Sequence, residues 1–111
     1  MERALLVYTT FPDAETALRI GETLVRERLA ACVNVLPGMR SVYAWKGAIE
    51  GGEEVVALVK TRTGLRDAIG AALKDRHPYE TPILFFLEPD DTHADTLAWL
   101  VEETSGPETS S

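Results

Sequence analysis

Short apolar runs alternate along the chain with segments whose apolar residues recur every three or four positions. Residues 4–11 are rich in β-branched and aromatic side chains, and the proline that follows ends the run, which predicts a buried strand. Asp13 is a suitable N-cap, and the helical spacing of apolar residues after it predicts a helix over residues 13–29. Residues 30–36 form a second apolar run and predict a second buried strand.

The middle of the chain has the pattern of paired strands. Residues 37–38 (Pro-Gly) are typical of a type II turn or of a kink within a longer strand. Residues 41–50 alternate strictly and predict a third strand segment. Residues 51–52 (Gly-Gly) stand between glutamates and predict a hairpin turn, because both glycines tolerate positive φ. After this turn, residues 55–59 continue as a strand that ends at residues 60–61. The alternation places four residues on one face: Tyr43, Trp45, Gly47 and Ile49.

The second half repeats the order of helix and strand. Apolar spacing over residues 65–76 predicts a helix, which the following His-Pro pair ends because a residue before proline disfavours the α region. Residues 83–87 (ILFFL) predict another strand. Thr92 and Asp95 predict a capping box at the start of a last helix that ends near residue 103.

The order of elements is β-α-β-β-α-β followed by a helix. This order predicts an α+β, ferredoxin-like (split βαβ) antiparallel sheet with helices on one face and an extra C-terminal helix. Residues 1–104 are expected to form a single domain and residues 105–111 a disordered tail. The second face of such a sheet lacks a cover, and Trp99 lies off the apolar stripe of the last helix. We therefore expect an oligomer.

Composition narrows the possible functions. The chain has 111 residues, which suits one domain, and 45% of them are hydrophobic. The net charge of -7 disfavours binding to nucleic acids. We expect no membrane segment, because no apolar run approaches the length of a transmembrane helix. The N-terminal residues lack the features of a secretory signal, and one cysteine cannot form an intramolecular disulfide, so the expected location is cytoplasmic.

His77 and Cys32 are the candidate metal ligands. A neutral imidazole can bind a transition metal or transfer a proton near neutral pH, but a histidine at a helix C-terminus can also serve the last carbonyl groups. A thiolate is a soft metal ligand, but Cys32 lies within an apolar run where a small buried residue is expected. The spacing of cysteine and histidine matches no zinc motif.

Tyr43, Trp45 and Glu50 come from the predicted hairpin. The two aromatic residues are typical of packing, and they can also form a stacking platform for a ligand. Glu50, with the two glutamates that follow the glycines, can keep a sheet edge soluble or form a carboxylate cup for a cation.

Lys60, Tyr79 and Glu80 complete the set of polar candidates. Lys60 ends an apolar strand and can extend outward or bind an anion in a cleft. Tyr79 and Glu80 lie between two prolines in a stiff loop. The residues around them include no nucleophile at motif spacing and no glycine-rich phosphate loop, so the pattern does not indicate catalysis.

Four segments resemble the CutA divalent-cation tolerance family. They are AACVNVLPGMRSVYAWKGAIE (residues 30–50), KT (60–61), HPYETP (77–82) and LAWL (97–100), in the family's order and spacing. The resemblance covers about residues 5–104. The first and third segments are long and specific, so the chain is identified as a member of this family.

The resemblance implies a homotrimer, similar in shape to PII signalling proteins, that is associated with copper and other divalent cations. It implies that the loop at His77 lies near a cleft between subunits. Some bacterial members carry Cys and His where this chain has Thr9 and Arg76, so His77 and Cys32 remain as its copper ligands. The cleft residues implied are Tyr43, Trp45, Glu50, Lys60, Tyr79 and Glu80.

The main functional hypothesis is a non-enzymatic trimer that binds divalent cations, chiefly copper(II), weakly and without an obligatory cofactor, in the response to metal ions. The alternative is a PII-like signalling module that binds a small anion in the cleft between subunits through Lys60 and His77. A third hypothesis is an enzyme that uses His77 and Tyr79 as acid and base.

Overall fold

The structure, a computed structural model, describes residues 1–106. The last five residues of the predicted tail, 107–111, lie outside the described residues. Within the described part, none of the helices is long and apolar enough to cross a membrane. The strands and helices, in chain order, are β1 (Ala4–Phe11), α1 (Ala14–Arg26), β2 (Cys32–Trp45), β3 (Ala48–Arg62), α2 (Arg66–Arg76), β4 (Phe85–Leu87) and α3 (Ala94–Glu103).

The strands of residues 1–106 form one four-stranded sheet in the order β2-β3-β1-β4. Each neighbouring pair is antiparallel. β3 therefore lies between β1 and β2, and β1 lies between β3 and β4, which is the arrangement of two split βαβ units. The predicted α+β, ferredoxin-like architecture with an extra C-terminal helix is confirmed.

The core lies between one face of the sheet and the helices α1 and α2. Alternate residues of β1 and β3 point into it, as the period of two in a strand requires. α1 approaches β2 closely at Gly21, where an added Cβ would lie 3.1 Å from Val33. The buried core includes Leu5, Val7, Phe11, Ile20, Leu24, Val55, Ala57, Val59, Ile69 and Leu73.

The predicted hairpin turn at residues 51–52 is wrong. The chain turns at Lys46 and Gly47, whose φ angles are 49° and 83°, and Trp45 pairs with Ala48. Two central residues with positive φ match the twist of a two-residue hairpin, and glycine accepts that conformation without strain. The two predicted turn glycines instead lie within β3. Ile49 consequently opposes Ala44 and lies on the other face from the aromatic residues of β2.

Residues 37–38 kink a single long strand rather than forming a turn. The register of β2 against β3 shifts between Leu36 and Met39, and Gly38 has a φ of 83°. Beyond this bulge the β2–β3 hairpin leaves the helices, and each of its residues is exposed or half-buried. We call this hairpin, residues 39–54, the arm.

The ends of two helices differ from the prediction. α1 ends at Arg26 rather than near residue 29, because Arg28 adopts a φ of 60°. α3 is capped by His93, whose Nδ1 accepts a hydrogen bond from the Asp95 N–H over 3.2 Å. The capping box predicted at Thr92 is therefore wrong: His93, not Thr92, accepts the hydrogen bond from a free backbone N–H at the start of α3.

Candidate functional site

An open cavity of about 850 Å³ lies between the arm, the second half of β1 and the loop of residues 78–83. Each wall comes from a different part of the chain. The arm supplies aromatic and acidic side chains, and β1 supplies Tyr8 and Thr10. The loop closes the remaining side. Concave surfaces with a mainly apolar lining and a few polar groups are the usual places for binding.

His77 anchors the loop to the core. It leaves α2 with extended angles, φ -70° and ψ 136°, as the following proline requires. Its ring is buried and stacks on Phe11, with ring centroids 4.4 Å apart and 12° between the planes. The loop therefore starts from a fixed point on β1.

Both ring nitrogens of His77 are occupied by hydrogen bonds. Nε2 lies 2.8 Å from the carbonyl oxygen of Thr10, which can only accept, so Nε2 carries the proton and donates. Nδ1 accepts from the backbone N–H of Tyr79 over 3.2 Å. Burial lowers the pKa of His77, opposed by the Thr10 hydrogen bond and by the charge of Glu54. The imidazole is thus neutral at neutral pH.

Glu54 joins the loop to the arm. Its Oε1 accepts from the Ser41 hydroxyl over 2.6 Å, and its Oε2 accepts from the Tyr79 hydroxyl over 2.7 Å. Burial would raise the pKa of Glu54, but hydrogen bonds from Ser41, Tyr79 and Thr10, with the nearby His77, outweigh it and hold the pKa below its ordinary value. Burial and Glu54 together raise the pKa of Tyr79. At neutral pH Glu54 is therefore a carboxylate and Tyr79 a phenol.

The structure brings most of the predicted cleft residues together. The members that line the cavity are Tyr43, Trp45, Glu50, Tyr79 and Glu80. Lys60 is not among them, because it lies within the sheet between Cys32 on β2 and Leu6 on β1. The predicted association of Lys60 with His77 is therefore not seen in the described part of the chain.

Cys32 and His77, the two predicted metal ligands, are also separated. Cys32 is half-buried at the start of β2, opposite Lys60, whereas His77 packs on the other end of β1. In residues 1–106 no three His, Cys, Asp or Glu side chains are placed to hold one metal ion. Since the nitrogens of His77 are also occupied, a single chain offers no preformed chelating site in this described part.

The sequence did not single out Ser41 as a site residue, and it gave Glu54 only as part of a glutamate cluster. Their association depends on the register of β2 against β3, in which Ser41 opposes Gly52 and Met39 opposes Glu54. Ser41 and Glu54 then share one face of the arm, two residues apart across the strands. With the turn placed at Lys46 and Gly47, alternation alone would have found this pair.

The family model and the relatives that match this chain belong to one protein family. The family model of the CutA1 divalent ion tolerance protein matches residues 5–103. The divalent-cation tolerance protein CutA of Pyrococcus horikoshii is 45% identical over 100 residues, which is 90% of this chain and 97% of that protein. The CutA protein of Thermus thermophilus is 39% identical over 104 residues, covering 94% and 99% of the two chains.

Solved structures agree with the sequence relatives. The crystal structure of the divalent ion tolerance protein CutA1 from Ehrlichia chaffeensis superposes with a TM-score of 0.90 at 30% identity, covering 95% of this chain and 98% of that one. CutA1 from Pyrococcus horikoshii gives a TM-score of 0.87 at 42% identity, over 92% and 99% of the two chains. The chain therefore belongs to the CutA1 divalent ion tolerance protein family.

Proposed function

We propose that this protein is a non-enzymatic homotrimer that takes part in the response to divalent cations, chiefly copper(II), and holds them weakly. Family membership supports the role with divalent cations. The observation that carries the assembly is the arm, which exposes apolar side chains to solvent in the single chain. We also propose a cytoplasmic location, as expected from the lone cysteine.

The exposed apolar surface supports the trimer. On the arm, Val42 and Ile49 are 82% and 76% exposed on the same face. On the sheet face opposite the helices, Leu36, Phe85 and Leu87 are also exposed. Large apolar side chains exposed in this number favour interaction surfaces, because their burial removes apolar surface from water.

The position of the patches suits a ring of identical copies. β2 and β4 are the two edges of the sheet, so they present different surfaces. When a surface of one copy docks onto a different surface of the next, a closed ring results if the rotation closes. Three copies are the number that the family resemblance implies. In that ring, the cavity residues Tyr43, Trp45, Glu50, Tyr79 and Glu80 would form the cleft between subunits.

Weak cation binding is consistent with the ligands available. His77 and Cys32 remain the proposed copper ligands, but they are apart in the described chain. His77 can serve as a ligand through Nδ1 after losing its hydrogen bond from the Tyr79 N–H, which reduces affinity. The PII-like alternative is less well supported, since Lys60 and His77 do not meet in the described residues.

Native mass spectrometry at neutral pH tests the assembly and the copper site together. We expect one species near three times 12.2 kDa. With one equivalent of copper(II) per chain, uptake should follow the number of chains and should fall in His77→Ala and Cys32→Ser. The matched control is His93→Ala, which removes an exposed histidine at the cap of α3.

Each result has a clear meaning. A monomer at micromolar concentration would contradict the trimer. Equal copper uptake by the wild type, His77→Ala and Cys32→Ser would remove both residues as ligands. Loss of uptake in His93→Ala alone would place the copper at the start of α3 instead.

A further inference from the structure

A continuous series of contacts links the buried core to the arm. The His77 ring stacks on Phe11, and the backbone N–H of Tyr79 donates to His77. The Tyr79 hydroxyl donates to Glu54, and the Ser41 hydroxyl donates to the other oxygen of the same carboxylate. We call the four residues His77, Tyr79, Glu54 and Ser41 the strut. One end of the strut rests on the core and the other end is on the arm.

The arm leaves the sheet at Gly38, which has no side chain, and the next residue, Met39, accepts a hydrogen bond at its sulfur, a weak acceptor, from the Tyr8 hydroxyl over 3.7 Å. Gly38 has a φ of 83°, and an added Cβ there would meet nothing within 4 Å. The β-bulge at this position bends the strand, and such bends change the direction of a strand pair locally. Packing at Gly38 therefore does not fix the angle between the arm and the sheet.

The loop of residues 78–83, which carries Tyr79 of the strut, is held more firmly than the arm. Prolines at positions 78 and 82 restrict its backbone, and His77 is buried on β1. The Tyr79 ring also lies 5.0 Å from the His77 ring, measured between centroids. Tyr79 thus offers its hydroxyl to the arm from a fixed position.

The strut is the strongest link between loop and arm. Glu54 is charged at neutral pH, and hydrogen bonds to a charged group are about twice as strong as neutral ones. A second link joins Lys46 at the tip of the arm to Glu80 over 3.5 Å, and both side chains are about 70% exposed. Exposed ion pairs of this kind contribute little.

We propose that the strut sets the angle of the arm relative to the sheet, and thereby the shape of the surface that the arm offers to a neighbouring copy. The second part rests on the trimer proposed above. Since the arm and the loop form opposite walls of the cavity, the strut also sets the width of the cavity. Ser41 and Tyr79 act through Glu54 as positioning residues.

Hydrogen exchange of the arm amides tests the first part. Tyr79→Phe keeps the ring on His77 and removes the hydroxyl. We expect arm amides to exchange about tenfold faster or more, the loss of one hydrogen bond to a charged group. Amides of β1 should change less than about twofold. Tyr43→Phe is the matched control, because Tyr43 lines the same cavity but does not contact Glu54 in the described hydrogen bonds.

Ser41→Ala gives a second, independent variant that leaves the loop intact. It should also speed exchange of the arm, and the double variant with Tyr79→Phe should show less than the product of the two effects, since both act on one carboxylate. Arm exchange that is equal in Tyr79→Phe, Ser41→Ala and Tyr43→Phe would overturn the strut.

Sedimentation equilibrium tests the second part. The trimer of Tyr79→Phe should dissociate at a concentration at least about tenfold higher than that of the wild type. A wild-type monomer would overturn the trimer and this second part, while the exchange of the arm amides would still decide the first. A wild-type trimer that dissociates at the same concentration as the Tyr79→Phe trimer would overturn the link between strut and assembly alone.

Discussion

The same two strands, β2 and β3, behave differently on either side of the bulge. On the core side, Val55, Ala57 and Val59 point under the helices and are buried. In the arm, the pairing continues without a further shift of register, but its residues are only exposed or half-buried. The backbone hydrogen bonds are alike, so the difference lies in what covers the side chains.

This difference separates pairing from stability. A two-stranded ribbon alone is at best marginally stable in water, because pairing without burial offsets little of the lost chain entropy. The core half has its own cover. The arm needs the strut, its neighbours, or both, so substitutions should have different consequences in the two halves.

The largest expected effect is in the core half. Leu5→Ala removes a side chain that is 1% exposed, and it should lower the free energy of unfolding by about 2–5 kcal/mol through lost burial and a cavity. Leu18→Ala makes the same change on the outer side of α1, where Leu18 is 57% exposed, and should cost less than about 1 kcal/mol. Urea unfolding at one fixed protein concentration measures both. Equal losses would mean that the described core is not the stabilising one.

The next effect is in the arm and concerns assembly rather than the fold of one chain. Ile49→Ser should weaken subunit association by about 1.5–3 kcal/mol at each copy of the site if a neighbour buries this residue. Val25→Ser on the exposed side of α1 is the control. Sedimentation equilibrium gives the dissociation concentration, and circular dichroism checks that the monomer stays folded. An unchanged trimer in Ile49→Ser would leave this face of the arm uncovered.

A smaller effect on stability should distinguish two glycines of the arm: Gly47 at the observed turn and Gly52 at the predicted one. Gly47→Ala places a Cβ at a φ of 83° and should cost about 1 kcal/mol. Gly52→Ala introduces no positive φ, and the added Cβ meets nothing within 4 Å, so its effect should stay within about 0.5 kcal/mol. Thermal unfolding measures the difference. A larger loss in Gly52→Ala would move the turn back to the glycine pair.

A pH titration compares the regions without any substitution. The folded pKa of His77 lies below its ordinary 6.5, so the unfolded chain binds this proton more tightly. Its contribution to stability is present above pH 6.5 and decreases as the pH falls below that value. Glu54 acts in the same direction in a lower window, below its ordinary 4.5.

The urea midpoint, followed from neutral pH downward, should therefore fall first below pH 6.5, where His77 of the loop becomes protonated in the unfolded chain. It should fall again below pH 4.5, where Glu54 of the arm does so. His77→Asn should flatten the upper window. Tyr79→Phe, which removes a donor to Glu54, should reduce the slope in the lower window. An unchanged upper slope in His77→Asn would assign that proton to another group.

The sequence predicts the parts of this fold that local patterns control. Alternation and apolar spacing place β1, α1, α2 and the order of the sheet, because the core selects those patterns. The hairpin turn was missed because a Lys-Gly pair at positive φ is a weaker local signal than Gly-Gly, and the register across the whole ribbon decides between them. His93 replaced Thr92 as the cap because cap choice depends on the geometry of the incoming loop.

The candidate site follows the same division. The loop from His77 to Glu80 was found because its prolines and polar groups are contiguous in the sequence. Its contact with Ser41 required the strand register, and the separation of Cys32 from His77 required the sheet order. Contacts between distant segments are set by topology, which a single sequence pattern specifies only in part.

The arm is joined to the sheet at one bulge and closed by one tight turn, so its length can change independently of the core. Adding two residues to each strand lengthens it by about 7 Å and keeps every side chain on its present face, whereas adding one residue to each strand exchanges the faces beyond the insertion. Neither change alters the packing of the core. A change of arm length in steps of two residues would thus alter the reach of the arm while the helices and the rest of the sheet stay as they are.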